Sequence, residues 1–354
     1  MTKYGIIGSG MMAHEHINNL HLFEGARVVA VADPDEAMRG SAMALAGAKG
    51  YETHNAMLAA EDLDALIIAA PNHTHHAILR DVLATEIPVL CEKPLGVSDA
   101  QCRDIAGWTE ARQAPVWVAM EYRYMEPMQR LLAETGKGTA GQPRMVTIRE
   151  HRFPFLEKVG DWNRFSANTG GTLVEKCCHH FDLMRLILGV EAVRVYASAG
   201  VDVNHLDERY DGQTPDIFDN AYVIVEFEGG VRGMLELSMF AEGAYWQEIV
   251  TVVGDKARIE ARIPGSHGID ELRHGEVSIG VRASLTETTE VIETDPKIMA
   301  AGAHHGSTYY QHAKFLDLVR NGGTPEVSVA DGAAAVRIGA AAEESARSGQ
   351  PVYL

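Results

Sequence analysis

Three groups of residues have the types and spacing to do chemistry. The first is Glu92-Lys93-Pro94, directly after the apolar run 88–91. A lysine partly buried at a strand's carboxyl end can have a lowered pKa and move protons near neutrality; its plainer role is a salt bridge to Glu92. The second runs from Gly170-Gly171 through Glu175-Lys176-Cys177-Cys178-His179-His180-Phe181-Asp182. Glu175, His179 and Asp182 stand at i, i+4 and i+7, on one face if the segment is a helix. A carboxylate one turn before an imidazole can orient the ring and stabilise its protonated form, the setting of a general base; the plainer role is a satisfied polar face. The third is Gly8-Ser9-Gly10-Met11-Met12-Ala13. Gly8 suits a tight turn, Gly10 would let a pyrophosphate approach the backbone, and Ala13 permits close helix–strand packing, with phosphates at the helix amino terminus.

These groups need elements to hold them. Continuous apolar runs at 4–7, 27–32, 65–69, 88–91 and 116–119 alternate with helical segments at 13–22, 36–45, 75–85 and 98–111. Thr74 would cap the third of these helices, and Ser98-Asp99-Ala100-Gln101 has the form of a capping box. Unbroken apolar strands separated by helices predict a parallel sheet covered on both faces. After Tyr122 the pattern changes. Hairpins are expected at 221–237, around Glu228-Gly229-Gly230, and at 248–261, around Gly254-Asp255. A helix is expected to end over 182–188, a long loop to cover 200–218, and helices to follow at 310–319 and 332–345. The fold class is therefore α/β plus α+β. Residues 1–122 form a doubly wound parallel sheet, and residues 123–354 form an α+β domain with a mainly antiparallel sheet.

Asp33 ends the second strand. An acid there can accept hydrogen bonds from an adenosine ribose and would repel a 2′-phosphate, which favours NAD over NADP. Pro71-Asn72 would form the next loop over the cofactor. His73, His75 and His76 have the look of metal ligands but fit an exposed helix start, and no metal is expected.

Composition narrows the classes. The net charge of −18 opposes binding to nucleic acid or an anionic membrane. Cys91, Cys102, Cys177 and Cys178 form no CxxC pair, and free thiols fit a reducing cytoplasm. No signal peptide is visible, and no apolar run approaches the roughly 20 residues of a membrane helix.

Taken together, the motifs resemble those of the Gfo/Idh/MocA family (glucose–fructose oxidoreductase, inositol dehydrogenase, rhizopine catabolism). The resemblance spans essentially the whole chain. It rests on Gly8-x-Gly10-x-x-Ala13, Ala32-Asp33-Pro34, Pro71-Asn72-His73-x-His75, Glu92-Lys93-Pro94, Tyr122-Arg123-Tyr124-x-x-Pro127 and Gly170-Gly171 through Glu175-x-x-x-His179-x-x-Asp182. It implies a Rossmann domain and an open-sheet domain whose outer face makes homodimers or homotetramers. It places Gly8, Gly10, Met11, Met12, Asp33, Pro71, Asn72, His75, Glu92 and Lys93 at NAD, with a cis Lys93–Pro94 bond allowed. Lys93 would act in proton transfer and His179 as base on a ring hydroxyl of a sugar, sugar acid or cyclitol, with Tyr122, Arg123 and His180 near the substrate. The family usually has Asp where this chain has Glu175, which puts the relay geometry in doubt. Lys176 and the vicinal cysteines also depart from the pattern.

Local charge bears on the substrate. Between residues 144 and 185, Arg144, Arg149, Arg152, Lys158, Arg164, Lys176 and Arg185 outnumber Glu150, Glu157, Asp161, Glu175 and Asp182. This excess suggests an anionic sugar, or else surface ion pairs. Trp162 could stack on a sugar ring, and His305 could help to close the pocket. Two activities remain open. One is a dehydrogenase releasing NADH. The other is an NAD-dependent glycosidase, redox-neutral overall, acting for instance on a sulfoquinovoside with Lys176 or an arginine on the sulfonate.

Overall fold

The computed structural model describes residues 1–265, 272–302 and 304–354. Its first sheet has six parallel strands: β1 (Thr2–Ile7), β2 (Ala26–Ala32), β3 (Lys49–Tyr51), β4 (Ala65–Ile68), β5 (Val89–Cys91) and β6 (Val116–Val118). Their order is β3-β2-β1-β4-β5-β6. The helices between them are α1 (Met11–Leu20), α2 (Glu36–Ala46), α3 (His54–Ala60), α4 (His75–Val82) and α5 (Asp99–Thr109). Strands β4 and β5 are buried at every position, as a sheet with both faces covered requires. The order reverses beside β1, so the carboxyl ends of β1 and β4 open a crevice, the usual ligand position in such sheets.

Helix α6 (Glu126–Gly136) leads into the second sheet. Its strands are β7 (Pro143–His151), β8 (Ala192–Gly200), β9 (Asn220–Phe227), β10 (Arg232–Ser238), β11 (Trp246–Gly254), β12 (Ala257–Pro264), β13 (Gly275–Val281), β14 (Thr286–Ile292) and β15 (Val352–Tyr353). The order β14-β13-β12-β11-β7-β10-β9-β8-β15 is antiparallel except for the β7–β10 pair. Both expected hairpins form, the first through the turn Glu228–Gly230. Each strand of the sheet centre alternates: in β7, Val146, Ile148 and Glu150 point inward. Helices α7 (Ser166–Thr169), α8 (Thr172–Glu175), α9 (Cys178–Leu188), α10 (Pro296–Met299), α11 (Ser307–Asn321) and α12 (Val329–Ser348) complete the chain.

The last helix joins the two halves. Ala335 and Val336 of α12 enter the core under the first sheet, while Ile338, Ala341 and Ala342 enter the core under the second. Phe315 and Leu316 of α11 also pack in the first core, so the segment 123–354 is not confined to the second. The four cysteines are buried free thiols, with Cys178 in one core and Cys177 in the other. Among the described residues, no helix is long and apolar enough to cross a membrane.

Three local expectations change. Thr74 does not cap α4; its hydroxyl donates to the Pro71 carbonyl within a short 3-10 turn, Asn72–Thr74. Gln101 accepts from the Val97 amide, one residue before the cap, so Ser98 makes only its own half of the capping box. The segment 175–182 is not one helix: α8 ends at Glu175 and α9 begins at Cys178. Lys176 turns inward between them, toward Glu150.

Candidate active site

A cavity of about 810 Å³ runs along the crevice at the carboxyl ends of the parallel strands. One end is made by Gly8, Ser9, Gly10, Met11 and Met12, with Asp33 beside them. Gly8 has φ +90°, and a Cβ there would lie 2.6 Å from the Ala69 backbone, so only glycine turns the chain at this point. A Cβ on Gly10 would meet nothing within 4 Å, which leaves the start of α1 open to a ligand. The amides there point at whatever lies in front of them, and the helix dipole favours negative charge. Asp33 is held in place: Oδ2 accepts from the Ser9 amide at 2.7 Å and Oδ1 from the Asp35 amide at 2.8 Å. Pro71, Asn72, Glu92 and Lys93 continue the wall, and Thr53, His54 and Asn55 line it opposite. This cradle fits the phosphates and ribose of a dinucleotide, with Gly8, Gly10, Met11, Met12 and Asp33 to hold it.

His75 does not line the cavity. It is fully buried, with Nδ1 2.8 Å from the Pro94 carbonyl and Nε2 2.9 Å from the Ala70 carbonyl. It braces two loops that do reach the cavity. His76 pairs with Asp104 and His73 stands edge-on to Trp162, so the three histidines do not converge on a metal.

The other end of the cavity holds Lys93 and Glu175, with Glu157, Lys158, Val159 and Trp162 across from them. The Lys93–Pro94 bond is cis. Lys93 makes no ion pair among the described residues, because Glu92 turns to His16 at 2.9 Å. Instead its Nζ donates to the Glu175 carbonyl at 3.2 Å. Burial works against the Lys93 charge, but Cys178 and the carboxylates of Glu175, Glu92 and Glu121 outweigh it, and its pKa is raised. The lowered lysine pKa expected from burial is therefore corrected: Lys93 is an ammonium. Burial pushes the Glu175 carboxyl up, only partly opposed by Lys93 and Lys158.

His179 is 2% exposed, at the first turn of α9, and does not line the cavity itself. Its ring stacks on Tyr122 at 4.1 Å and 6°. Burial, followed by the charges of Lys93 and Lys176, holds its pKa well below the ordinary value. No Glu175–His179 hydrogen bond forms among the described residues, and Glu175 Oε2 and His179 Nδ1 are both buried without partners. The expected relay that stabilises an imidazolium is thus replaced by a neutral ring. Asp182 serves elsewhere, in a buried ion pair with Arg123.

Most of the cations expected at the substrate are committed to acids. Lys176 Nζ lies 2.9 Å from Glu150 Oε1, with the Tyr122 hydroxyl also in contact, and His180 Nε2 lies 2.9 Å from Glu150 Oε2. Arg152 approaches the same Glu150 at 3.6 Å. Burial lowers the Lys176 pKa, with Glu150 opposing. Arg164 pairs with Glu208 at 2.9 Å, and Arg123 also donates to the Glu326 carbonyl. His305 bonds the Pro264 carbonyl at 2.7 Å, and burial takes its pKa down to about 4. Arg123, Arg164, Lys176, His180 and His305 are each held by partners in the protein, and none of them lines the cavity; nor do Tyr122, Arg152 and His179. Trp162 does line it. Besides Lys93, Lys158 lines the cavity without an ion pair among the described residues; burial lowers its pKa, with Glu175 opposing.

Glu150 escaped the sequence reading, although a signal exists. It continues the inward stripe Val146, Ile148 of β7, and opposite it in the sheet stands Glu248, which continues the inward stripe Val250, Val252 of β11. A glutamate on an apolar stripe needs buried cations.

Comparison with known proteins bears on the same two halves. Residues 2–120 match the model of an oxidoreductase family's NAD-binding Rossmann fold, and residues 136–354 match that family's C-terminal alpha/beta domain. The chain belongs to the Gfo/Idh/MocA oxidoreductase family. Within the family it is 27% identical to myo-inositol 2-dehydrogenase of Thermotoga maritima, over 99% of this chain and 98% of that one. It is 30% identical to inositol 2-dehydrogenase of Rhizobium meliloti, over 73% of this chain and 75% of that one. Among solved structures, the WlbA dehydrogenase of Bordetella pertussis, in complex with NADH and UDP-GlcNAcA, has a TM-score of 0.78 at 19% identity and covers 100% of this chain and 98% of its own. The protein is an NAD-dependent oxidoreductase of the Gfo/Idh/MocA family.

Proposed function

We propose that this protein oxidises a secondary ring hydroxyl of a cyclitol or sugar with NAD⁺. The observation that carries this is one continuous cavity, with the Gly8–Met12 turn and Asp33 at one end and Lys93 and Glu175 at the other. The inositol dehydrogenases among the relatives support a polyhydroxylated ring as substrate. Bound NAD⁺ would accept the hydride. The chain's own residues handle the hydroxyl. The Lys93 ammonium donates a hydrogen bond to the oxygen and stabilises negative charge as it develops there. Neutral His179 takes the hydroxyl proton, which it can do because burial keeps the ring unprotonated. Glu175 fixes Lys93 through its backbone carbonyl.

Asp33 supports NAD over NADP, since its anchored carboxylate faces the ribose end of the cavity and would repel a 2′-phosphate. Oligomerisation through the outer sheet face is supported by the exposed row Tyr196, Ile224 and Met234, paired across β8, β9 and β10. One support for the glycosidase alternative is weakened, because Lys176 is already held by Glu150.

The test is incubation with NAD⁺ and a panel of cyclitols and sugars, free and as aryl glycosides. Stoichiometric NADH with a free polyol is the expected result. Aglycone release without NADH would overturn the dehydrogenase reading.

A further inference from the structure

Between α1 and α11 lies a second group of mostly buried polar side chains that the proposed reaction does not use. Glu15 comes from α1, Glu121 from the turn after β6, His304 from the segment before α11 and Thr308 from its first turn. We propose that Glu15, Glu121 and His304 form a divalent-cation site, best matched to Zn²⁺, that clamps the first helix of the dinucleotide half to the last part of the chain.

The geometry is that of a ligand set. One ligand atom from each residue lies within 4.8 Å of the others. His304 Nδ1 is 3.0 Å from Glu15 Oε1 and 3.7 Å from Glu121 Oε1. These separations bracket the ligand–ligand edge of about 3.4 Å in a tetrahedron with zinc bonds of about 2.05 Å. One imidazole and two carboxylates, with room for a water, match zinc's ligand preferences.

The surroundings support the same reading. The Thr308 hydroxyl lies 2.7 Å from Glu15 Oε1 and 2.9 Å from Glu121 Oε2; its one proton goes to one of the two, and the hydroxyl sits between both carboxylates, as outer partners of metal ligands do. Glu15 and Glu121 are 8% and 2% exposed, so both carboxylates are held away from bulk water. Independently of the acids, the face of α11 that carries Thr308 also carries Ser307 and Gln311. Both are fully buried, and Ser307 Oγ and both Gln311 amide atoms lack a partner. Buried polar atoms on that face are what a hydrated ion would satisfy. The His304 side chain is 31% exposed, which provides an entry path.

The probe is Zn²⁺ added to untagged, chelator-treated protein, read by metal analysis after desalting and by thermal unfolding. About one equivalent per chain is expected, with Tm raised by about 4 °C at a hundredfold excess over Kd. His304→Ala and Glu121→Gln should each lose that equivalent and that shift. Less than about a tenth of an equivalent in the wild type, or full retention in both variants, would mean an ion pair only and overturn the site. Should the variants fail to fold, anomalous scattering at the zinc edge from wild-type crystals decides: a peak among the three side chains supports the site, and its absence removes it. Neither readout depends on the substrate, so the outcome is separate from that of the dehydrogenase assay.

Discussion

The two ends of the cavity are built differently. At the dinucleotide end the backbone does the binding: a glycine that no other residue can replace, the open start of α1, and a carboxylate pinned by two amides. At the chemical end, side chains from distant segments set one another's charge. Lys93 answers to Glu175, and His179 to Lys93 and Lys176; Lys176 in turn answers to Glu150. A backbone site is local in the chain and tolerates exchange of most side chains around it. A charge network is long-range, and each member's role depends on partners far away in sequence.

Four outcomes would break or sharpen this contrast. The largest effect is expected from Lys93→Ala, which should cut turnover by about 10³-fold while leaving NAD⁺ affinity within a few-fold. Turnover and fluorescence titration check it, and near-normal rates would remove Lys93 from the chemistry. Next, Arg123→Ala leaves Asp182 buried without its partner and should cost about 3 kcal/mol of stability in urea unfolding. A neutral result would mean that this ion pair is not scaffold. Smaller still, Asp33→Ala should weaken NAD⁺ and lower discrimination against NADP⁺ by about tenfold, measured as a ratio of kcat/KM values. An unchanged ratio would take Asp33 out of the ribose site. Mildest is Lys176→Met: with the cation already engaged by Glu150, loss of rate should be similar for neutral and anionic substrates. A loss confined to anionic sugars would restore Lys176 as a substrate ligand.

The same contrast explains what could be seen beforehand. Gly8, Gly10 and Asp33 are legible because each sits at a strand end, and strand ends follow from apolar runs. Lys93 is legible by position, but its protonation state is not, since Glu175 stands 82 residues away. Arg164 and Lys176 looked like free cations because Glu208 and Glu150 reach them only after the chain folds. The break between α8 and α9 was hidden too: the i, i+4, i+7 spacing assumes one straight helix, and the inward turn of Lys176 divides it.

The central claim is that the chemical end works with a charged Lys93 and a neutral His179. The pH dependence of kcat/KM for NADH formation tests it most directly. His179 must be unprotonated to accept a proton, and its pKa lies below 6.5, so activity should fall only as pH drops below that value. Lys93 must be charged, and its pKa lies above 10.5, so an alkaline fall should begin only beyond it. A flat profile between those limits is the predicted result. An acid limb centred above 6.5, or an alkaline limb below 10.5, would contradict the account.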